Sequence, residues 1–122
     1  MSIQFTTTIK DDLLIVRTKG RDESPEEVEK YGASVIEICK KKGCNKILID
    51  ERELKYNIST VDIYYLAKYY AEIVPSLVKA ALVYNPAFKD DAKFWEDAIT
   101  NRGLIVRIFT DIEQARQWLM ES

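Results

Sequence analysis

The chain has 122 residues, of which 47% are hydrophobic and 31% charged, as in an ordinary soluble globular domain. Its 18 basic and 20 acidic residues give a net charge of −2, so no strongly basic surface is available and we expect no nucleic-acid binding. Histidine is absent, which excludes Ser/His and Cys/His nucleophiles and histidine-ligated metals. With four glycines and no glycine-rich phosphate motif, we predict no catalytic residue, cofactor or metal site.

The N-terminus and the cysteines indicate the compartment. The first residues lack the basic and apolar regions of a secretory signal, and no apolar run approaches the ~20 residues of a membrane span. Cys39 and Cys44 are too few for a disulfide scaffold and lack a second ligand pair for zinc. We therefore expect a reduced cytoplasmic protein without stable membrane insertion.

Hydrophobic periodicity predicts nine elements in the order β-β-α-β-α-β-α-β-α. The chain opens with a hairpin, because two apolar strands flank the turn at Lys10-Asp11-Asp12. The later strands lack alternation and are separated by helices, a pattern typical of a parallel sheet. The predicted strands cover residues 3–9, 13–19, 46–50, 79–84 and 104–109. The predicted helices cover residues 25–42, 60–74, 86–101 and a final segment capped by Asp111.

The first helix carries the clearest local signals. Ser24 is the predicted N-cap, Pro25 occupies the first helical position, and Glu27 is expected to complete a capping box. If Gly43 takes the left-handed position after the helix, Cys39 and Cys44 become the contacting pair of a Schellman motif. Packing is then the preferred role for the cysteines, with redox chemistry as the alternative.

These elements predict one α/β domain over residues 1–122. The sheet is five-stranded and mainly parallel, with an antiparallel N-terminal edge and helices packed on it. The C-terminal run from Asn101 to Asp111 contains Arg102-Gly103 before a strand that ends in Phe109, and Ala115-Arg116 and Trp118-Leu119 follow. This run, with the element order, resembles the SpoIIAA-like group that contains STAS domains, and is most similar to stand-alone bacterial STAS-like proteins. The resemblance implies a non-catalytic regulatory domain that acts through protein contacts.

The resemblance also points to the loop Asn57-Ile58-Ser59-Thr60-Val61. Anti-sigma-factor antagonists carry a phosphorylatable serine here, in an Asp-Ser-Ser-Gly-like turn, and Ser59 matches it by position. Ile58 replaces the preceding acid and Val61 the following glycine, so a kinase that reads those residues should not recognise this loop. Ser59 or Thr60 is therefore interpreted mainly as a helix cap, with phosphorylation as the alternative.

Three tyrosines stand outside the apolar stripe of the helix over residues 60–74. Tyr64, Tyr65 and Tyr69 are left over after that stripe has been assigned to the sheet. Surplus aromatic surface is typical of a protein interface, most simply a homodimer, although tyrosines also cover the rim of a core. We predict a homodimer or another protein partner.

Ligands of open α/β sheets bind beyond the carboxyl ends of the parallel strands. Polar and aromatic residues predicted at that edge form a possible rim for a small polar or amphipathic, lipid-like ligand: Arg52, Tyr56, Tyr84, Asn85 and Phe88. A distant likeness of the fold to CRAL-TRIO lipid-binding domains agrees with this alternative function. The opposing interpretation is a solvated rim with helix caps. Paired acids at Asp50/Glu53 and Asp90/Asp91 leave carboxylate catalysis as the least favoured function.

Overall fold

The computed structural model describes residues 2–121, which form one five-stranded sheet and four α-helices. The strands are β1 (Ile3–Lys10), β2 (Leu13–Arg21), β3 (Lys46–Lys55), β4 (Lys79–Tyr84) and β5 (Ile105–Phe109). The helices are α1 (Pro25–Lys42), α2 (Thr60–Ile73), α3 (Lys89–Thr100) and α4 (Ile112–Met120). A single 3₁₀ turn at Pro86–Phe88 precedes α3, where the sequence had predicted the start of the helix itself.

The strands follow chain order across the sheet, β1-β2-β3-β4-β5. β1 pairs antiparallel to β2 and all later pairs are parallel, which confirms the predicted mixed sheet and its antiparallel edge. Asp11 and Asp12 form the hairpin turn with φ angles of 54° and 65°. Aspartate tolerates this left-handed conformation better than most residues, and two such residues in succession match the twist of a hairpin.

Crossovers between parallel strands are right-handed, and here each one leads to the next strand in the same direction across the sheet. The helices of such crossovers therefore all lie on one face of the sheet. Accordingly, Val35 and Cys39 of α1 pack with Leu14 and Ile47, and α2 and α3 cover the same face farther along. The residues that alternate with these on the strands point to the other face, where they pack against Ala115 and Leu119 of α4. One face therefore carries a layer of three helices, and the other carries α4.

The ends of α1 agree largely with the sequence prediction. The Ser24 side chain accepts a hydrogen bond from the Glu27 backbone N–H at 3.2 Å. The predicted reciprocal half of the capping box is wrong, because the Glu27 carboxylate accepts the backbone N–H groups of Ser2 and Ile3 instead, at 2.9 and 3.2 Å. The Glu27 side chain thus ties the start of β1 to α1, a long-range contact that helix spacing cannot reveal.

The two cysteines lie at the end of α1 in a Schellman motif. Gly43 has φ 68°, and the Cys44 N–H donates to the Cys39 carbonyl oxygen at 3.1 Å. Both thiols are free, and the Cys39 Sγ donates to the Cys44 carbonyl oxygen at 2.9 Å. Burial raises the pKa of the Cys39 thiol, which reduces its thiolate fraction. This geometry of Cys39 and Cys44 is the one expected for the packing role. The redox alternative for the two cysteines stays a prediction.

The largest departure from the predicted boundaries is β3, which was expected to end at Asp50 and continues to Lys55. Its charged second half pairs with β2 beyond a bulge between Arg17 and Lys19. Partner strands can stabilise a sequence of low strand propensity, so this extension depends on a distant segment. The alternation of the strand therefore continues and gives Glu51 the same orientation as Ile47 and Ile49.

Candidate ligand-binding site

An apolar cavity of about 160 Å³ lies between the sheet and the layer formed by α1, α2 and α3. Its floor is made of aliphatic side chains of the strands, namely Ile47, Ile49, Leu54, Ala80, Leu82 and Val106. Its roof is made of side chains of the three helices, including Val28, Val35, Ile63, Leu66, Val74, Trp95 and Ile99. For comparison, an engineered cavity of ~150 Å³ in another protein stays dry and binds benzene.

Three of the six floor residues are less buried than the other three. Ile49, Ala80 and Val106 lie on inner strands or beneath the helix layer, and each is only partly buried. Side chains in such positions are ordinarily packed without voids. All three line the cavity.

Aromatic side chains hold the helices together above this space. The Tyr70 hydroxyl of α2 donates to the Val28 carbonyl oxygen of α1 at 2.7 Å. Gly32 makes the approach possible, because a Cβ at this position would lie 2.2 Å from the Tyr70 hydroxyl oxygen. On its other side, Tyr70 meets Trp95 of α3 edge-on, with 5.5 Å between ring centroids. Tyr70 therefore connects all three helices of the layer.

A buried carboxylate, Glu51, lies at the end of the cavity toward the carboxyl ends of the strands. It is 8% exposed and accepts hydrogen bonds from the hydroxyls of Tyr31 at 2.8 Å and Tyr56 at 2.6 Å. The Tyr31 hydroxyl also bonds the Thr18 hydroxyl at 2.7 Å. Burial raises the pKa of Glu51, against the lowering effect of the two tyrosine hydroxyls. Burial together with Glu51 raises the pKa of both tyrosines, so the hydroxyls stay protonated as donors.

A second carboxylate, Asp22, follows β2 at the same end and is 7% exposed. Its Oδ1 accepts the backbone N–H of Asn57, while its own N–H donates to the Lys55 carbonyl oxygen. Burial raises the pKa of Asp22 to about 7; the hydrogen bond from Asn57 opposes this, and the charges of Glu51 and Asp91 add to it. Asp91, in the first turn of α3, also lines the cavity.

The cavity therefore has a large apolar body and an acidic end. Within residues 2–121, no three cysteine or carboxylate side chains come together closely enough to hold a metal ion. The arrangement can enclose a small apolar group and present carboxylate oxygens to a hydrogen-bond donor on it.

The predicted ligand rim does not form this site. Tyr56 alone among its five residues lines the cavity, and Phe88 packs on the Tyr56 ring with 5.6 Å between centroids. Tyr84 is only 7% exposed, and the Asn85 side chain caps the 3₁₀ turn. Arg52 lies outside the cavity and forms a bidentate ion pair with Asp50.

Arg52 is held by its own strand. Its Nε and Nη2 donate to the two oxygens of Asp50 at 2.9 and 2.7 Å. This pairing lowers the pKa of the Asp50 carboxyl and raises that of Arg52. Because β3 continues past its expected end at Asp50, Asp50 and Arg52 are two residues apart on one strand and lie on the same side of it. Arg52 is thus the ion-pair partner of Asp50.

The predicted interface tyrosines divide into two groups. Tyr64 and Tyr65 are 58% and 54% exposed. Tyr64 meets the Phe94 ring of α3 edge-on at 5.3 Å, and the Tyr65 hydroxyl donates to Glu29 of α1 at 3.1 Å. Tyr69 is half-buried against Tyr70 and contributes to the helix layer.

The two hydroxyl residues before α2 have different positions. Ser59 is the N-cap, and its Oγ accepts the Asp62 backbone N–H at 3.2 Å. Thr60 is the first residue of the helix. Both are exposed, and phosphorylation of either stays a prediction.

Sequence reasoning missed Asp22, Glu51 and the role of Tyr31. Tyr31 had been assigned to the apolar face of α1, which is correct, but the acceptor of its hydroxyl is 20 residues away. The available signal for Glu51 was the alternation Ile47, Ile49, Glu51, hidden by the charged residues around it. Asp22 carried no local signal, because its burial depends on the Asn57 loop.

No protein-family model matches the chain, and no curated protein matches its sequence. Solved structures do match. An anti-sigma factor antagonist from Mycobacterium paratuberculosis superposes with a TM-score of 0.70 at 15% identity, covering 98% of this chain and 96% of that one. An uncharacterised protein with a SpoIIAA-like fold from Shewanella loihica has a TM-score of 0.53 at 17% identity, covering 97% and 94%.

These similarities establish the fold, which is SpoIIAA-like, of the STAS type, as the sequence resemblance implied. At such identities they establish nothing of the function. Among residues 2–121, no helix combines the length and the apolar character that a bilayer span requires.

Proposed function

We propose that this protein is a non-catalytic binding domain whose cavity takes a small apolar or amphipathic ligand. The observation that supports the proposal is the 160 Å³ cavity over Ile49, Ala80 and Val106. An empty space of this size costs stability, since each lining atom loses van der Waals contacts. A ligand of matching size would restore those contacts, which makes binding favourable.

Catalysis is less well supported, although Asp22 has a pKa near neutrality. Such a group is a candidate general base. In the described chain, however, the side chains lining the cavity include no serine, threonine, cysteine, lysine or arginine to act beside it. The oxygens of Glu51 are occupied by Tyr31 and Tyr56. The acids are therefore better suited to positioning a ligand than to transforming it.

Titration with toluene, followed by NMR of ¹⁵N-labelled protein, tests the proposed cavity function. We expect saturable shifts at Gly32 and Ala80. Ala80→Leu places a larger side chain in the cavity, and we expect it to weaken toluene binding by about tenfold or more without loss of stability. Ala87→Leu is the matched control, because Ala87 is exposed in the 3₁₀ turn. Equal affinities in the wild type and Ala80→Leu would contradict the proposal.

A second candidate function is self-association through α2, supported by its exposed surface. Val61, Tyr64 and Tyr65 are 76%, 58% and 54% exposed within two turns of one helix. Tyrosine is enriched at protein interfaces because it combines apolar area with a polar tip. The Mycobacterium paratuberculosis protein is described as an antagonist of an anti-sigma factor, which is also a role exercised on a protein.

Sedimentation velocity tests the self-association. We expect a wild-type dimer and a monomer after the triple change Val61→Ser, Tyr64→Ser and Tyr65→Ser. Replacing Glu37 and Lys41 by serine is the control, because this exposed pair lies on α1. A wild-type protein that stays monomeric at all concentrations, or a triple variant that stays dimeric, would contradict the dimer.

A further inference from the structure

The chemistry of the acidic end indicates which amphipathic ligand the cavity would take. Asp22, Glu51 and Asp91 line it, and in the described chain no basic side chain does. A carboxylate or phosphate group on a ligand would therefore lose its hydration and face like charges without a compensating cation. This argues against fatty acids and other anionic amphiphiles.

Of the four carboxylate oxygens of the buried residues Glu51 and Asp22, the hydrogen bonds leave one without a partner. Both Glu51 oxygens accept tyrosine hydroxyls, and Oδ1 of Asp22 accepts the Asn57 N–H. Within residues 2–121, Oδ2 of Asp22 accepts no hydrogen bond, and no fully buried side-chain oxygen lacks a partner. Oδ2 therefore remains accessible, on a side chain that is 7% exposed and lines the cavity.

Aromatic rings line the same cavity as this oxygen. Tyr31, Tyr56, Tyr70 and Trp95 all line the same cavity. Ring faces attract organic cations, and carboxylates form strong charge-assisted hydrogen bonds with ammonium groups. The combination of rings with an accessible carboxylate suits a cation that carries an apolar body. A bare metal ion fits less well, since no three ligands converge among the described residues.

We propose, building on the cavity function above, that the ligand is a small primary ammonium compound with an apolar body. Its ammonium group donates to Oδ2 of Asp22, and its hydrocarbon part lies in the adjoining apolar part of the cavity. A single aromatic ring or a short alkyl chain fits the 160 Å³ volume.

Three probes of similar size test this inference at pH 8 by calorimetric titration: toluene, benzylamine and benzoate. We expect benzylamine to bind about tenfold more tightly than toluene, as one charge-assisted hydrogen bond supplies that difference. Benzoate should bind more weakly than toluene.

Asp22→Asn keeps the shape and the acceptor for Asn57 but removes the charge. It should lower the benzylamine affinity about tenfold and leave that of toluene within about twofold. Asp90→Asn is the matched control. Asp90 is exposed and does not line the cavity, so this substitution removes the same charge at a position outside it. Circular dichroism and melting temperature verify that the variants fold.

The outcomes separate the two proposals. If toluene binds but benzylamine binds no more tightly, or if Asp22→Asn leaves benzylamine binding unchanged, the ammonium inference is wrong and the cavity function stands. Equal binding of benzoate and benzylamine would overturn the inference as well. If none of the probes enters wild-type protein, both proposals fail.

Discussion

The raised pKa of Asp22 makes a prediction about stability that needs no ligand. A carboxyl with a pKa of about 7 in the folded state and 3.8 in the unfolded chain binds more protons when folded between those values. The free energy of unfolding must therefore fall as the pH rises through this window, and it levels off above it. Glu51 of β3 and Asp91 of α3 are the charges that contribute to the effect.

The magnitude follows from the size of the pKa change. The full shift corresponds to about 4 kcal/mol, and solvent screening at the accessible oxygen reduces the expected loss to about 2 kcal/mol. Asparagine resembles the protonated acid in shape and can still accept the Asn57 N–H. We therefore expect Asp22→Asn to match the wild type below about pH 4, where Asp22 is protonated in both the folded and the unfolded chain, and to exceed its stability by about 2 kcal/mol at pH 8.

Urea unfolding at about pH 3.5 and at pH 8 measures this difference for the wild type, Asp22→Asn and the exposed control Asp90→Asn. Glu51 is present in all three proteins, so the comparison reports the removal of the Asp22 charge together with its interaction with Glu51. If the difference between the wild type and Asp22→Asn is the same at both pH values, Asp22 does not titrate as the structure indicates.

Three further substitutions test the helix layer and its polar end, each by urea unfolding. Gly32→Ala should cost about 1–3 kcal/mol, because the added Cβ overlaps the Tyr70 hydroxyl; a neutral effect would show that the helices separate freely. Tyr31→Phe should cost about 1–3 kcal/mol at pH 7 by removing a donor from buried Glu51, and wild-type stability would mean that the bond is dispensable. Ser59→Ala should cost about 1 kcal/mol through loss of the N-cap, whereas no change would favour a role other than capping.

Local signals were sufficient to predict the framework. Three of these signals each act within a few residues of the chain, so they can be interpreted without tertiary information. They are Pro25 after Ser24, Gly43 after a lysine run, and the Asp11-Asp12 turn. The mainly parallel sheet then followed from the connections, because helices between apolar strands require parallel neighbours.

The site could not be predicted in the same way. Glu51 becomes a buried residue only because β2 extends β3 beyond Asp50, and that pairing joins segments about 34 residues apart along the chain (Lys19↔Glu53). The cavity lies beneath three helices that Tyr70 connects, and hydrophobic periodicity gives no signal for an unfilled volume. The sequence placed Arg52 of the predicted rim in a loop where the strand in fact continues, and the rim as a ligand site stays a prediction.

A crystal structure determined under xenon pressure tests most directly whether the cavity accepts a guest. Xenon enters apolar cavities of this size without needing a polar partner. We predict a xenon peak between the strand residues Ile49, Ala80 and Val106 and the helix layer, with the surrounding backbone unchanged. A structure with no xenon bound at this position would contradict the proposed binding function.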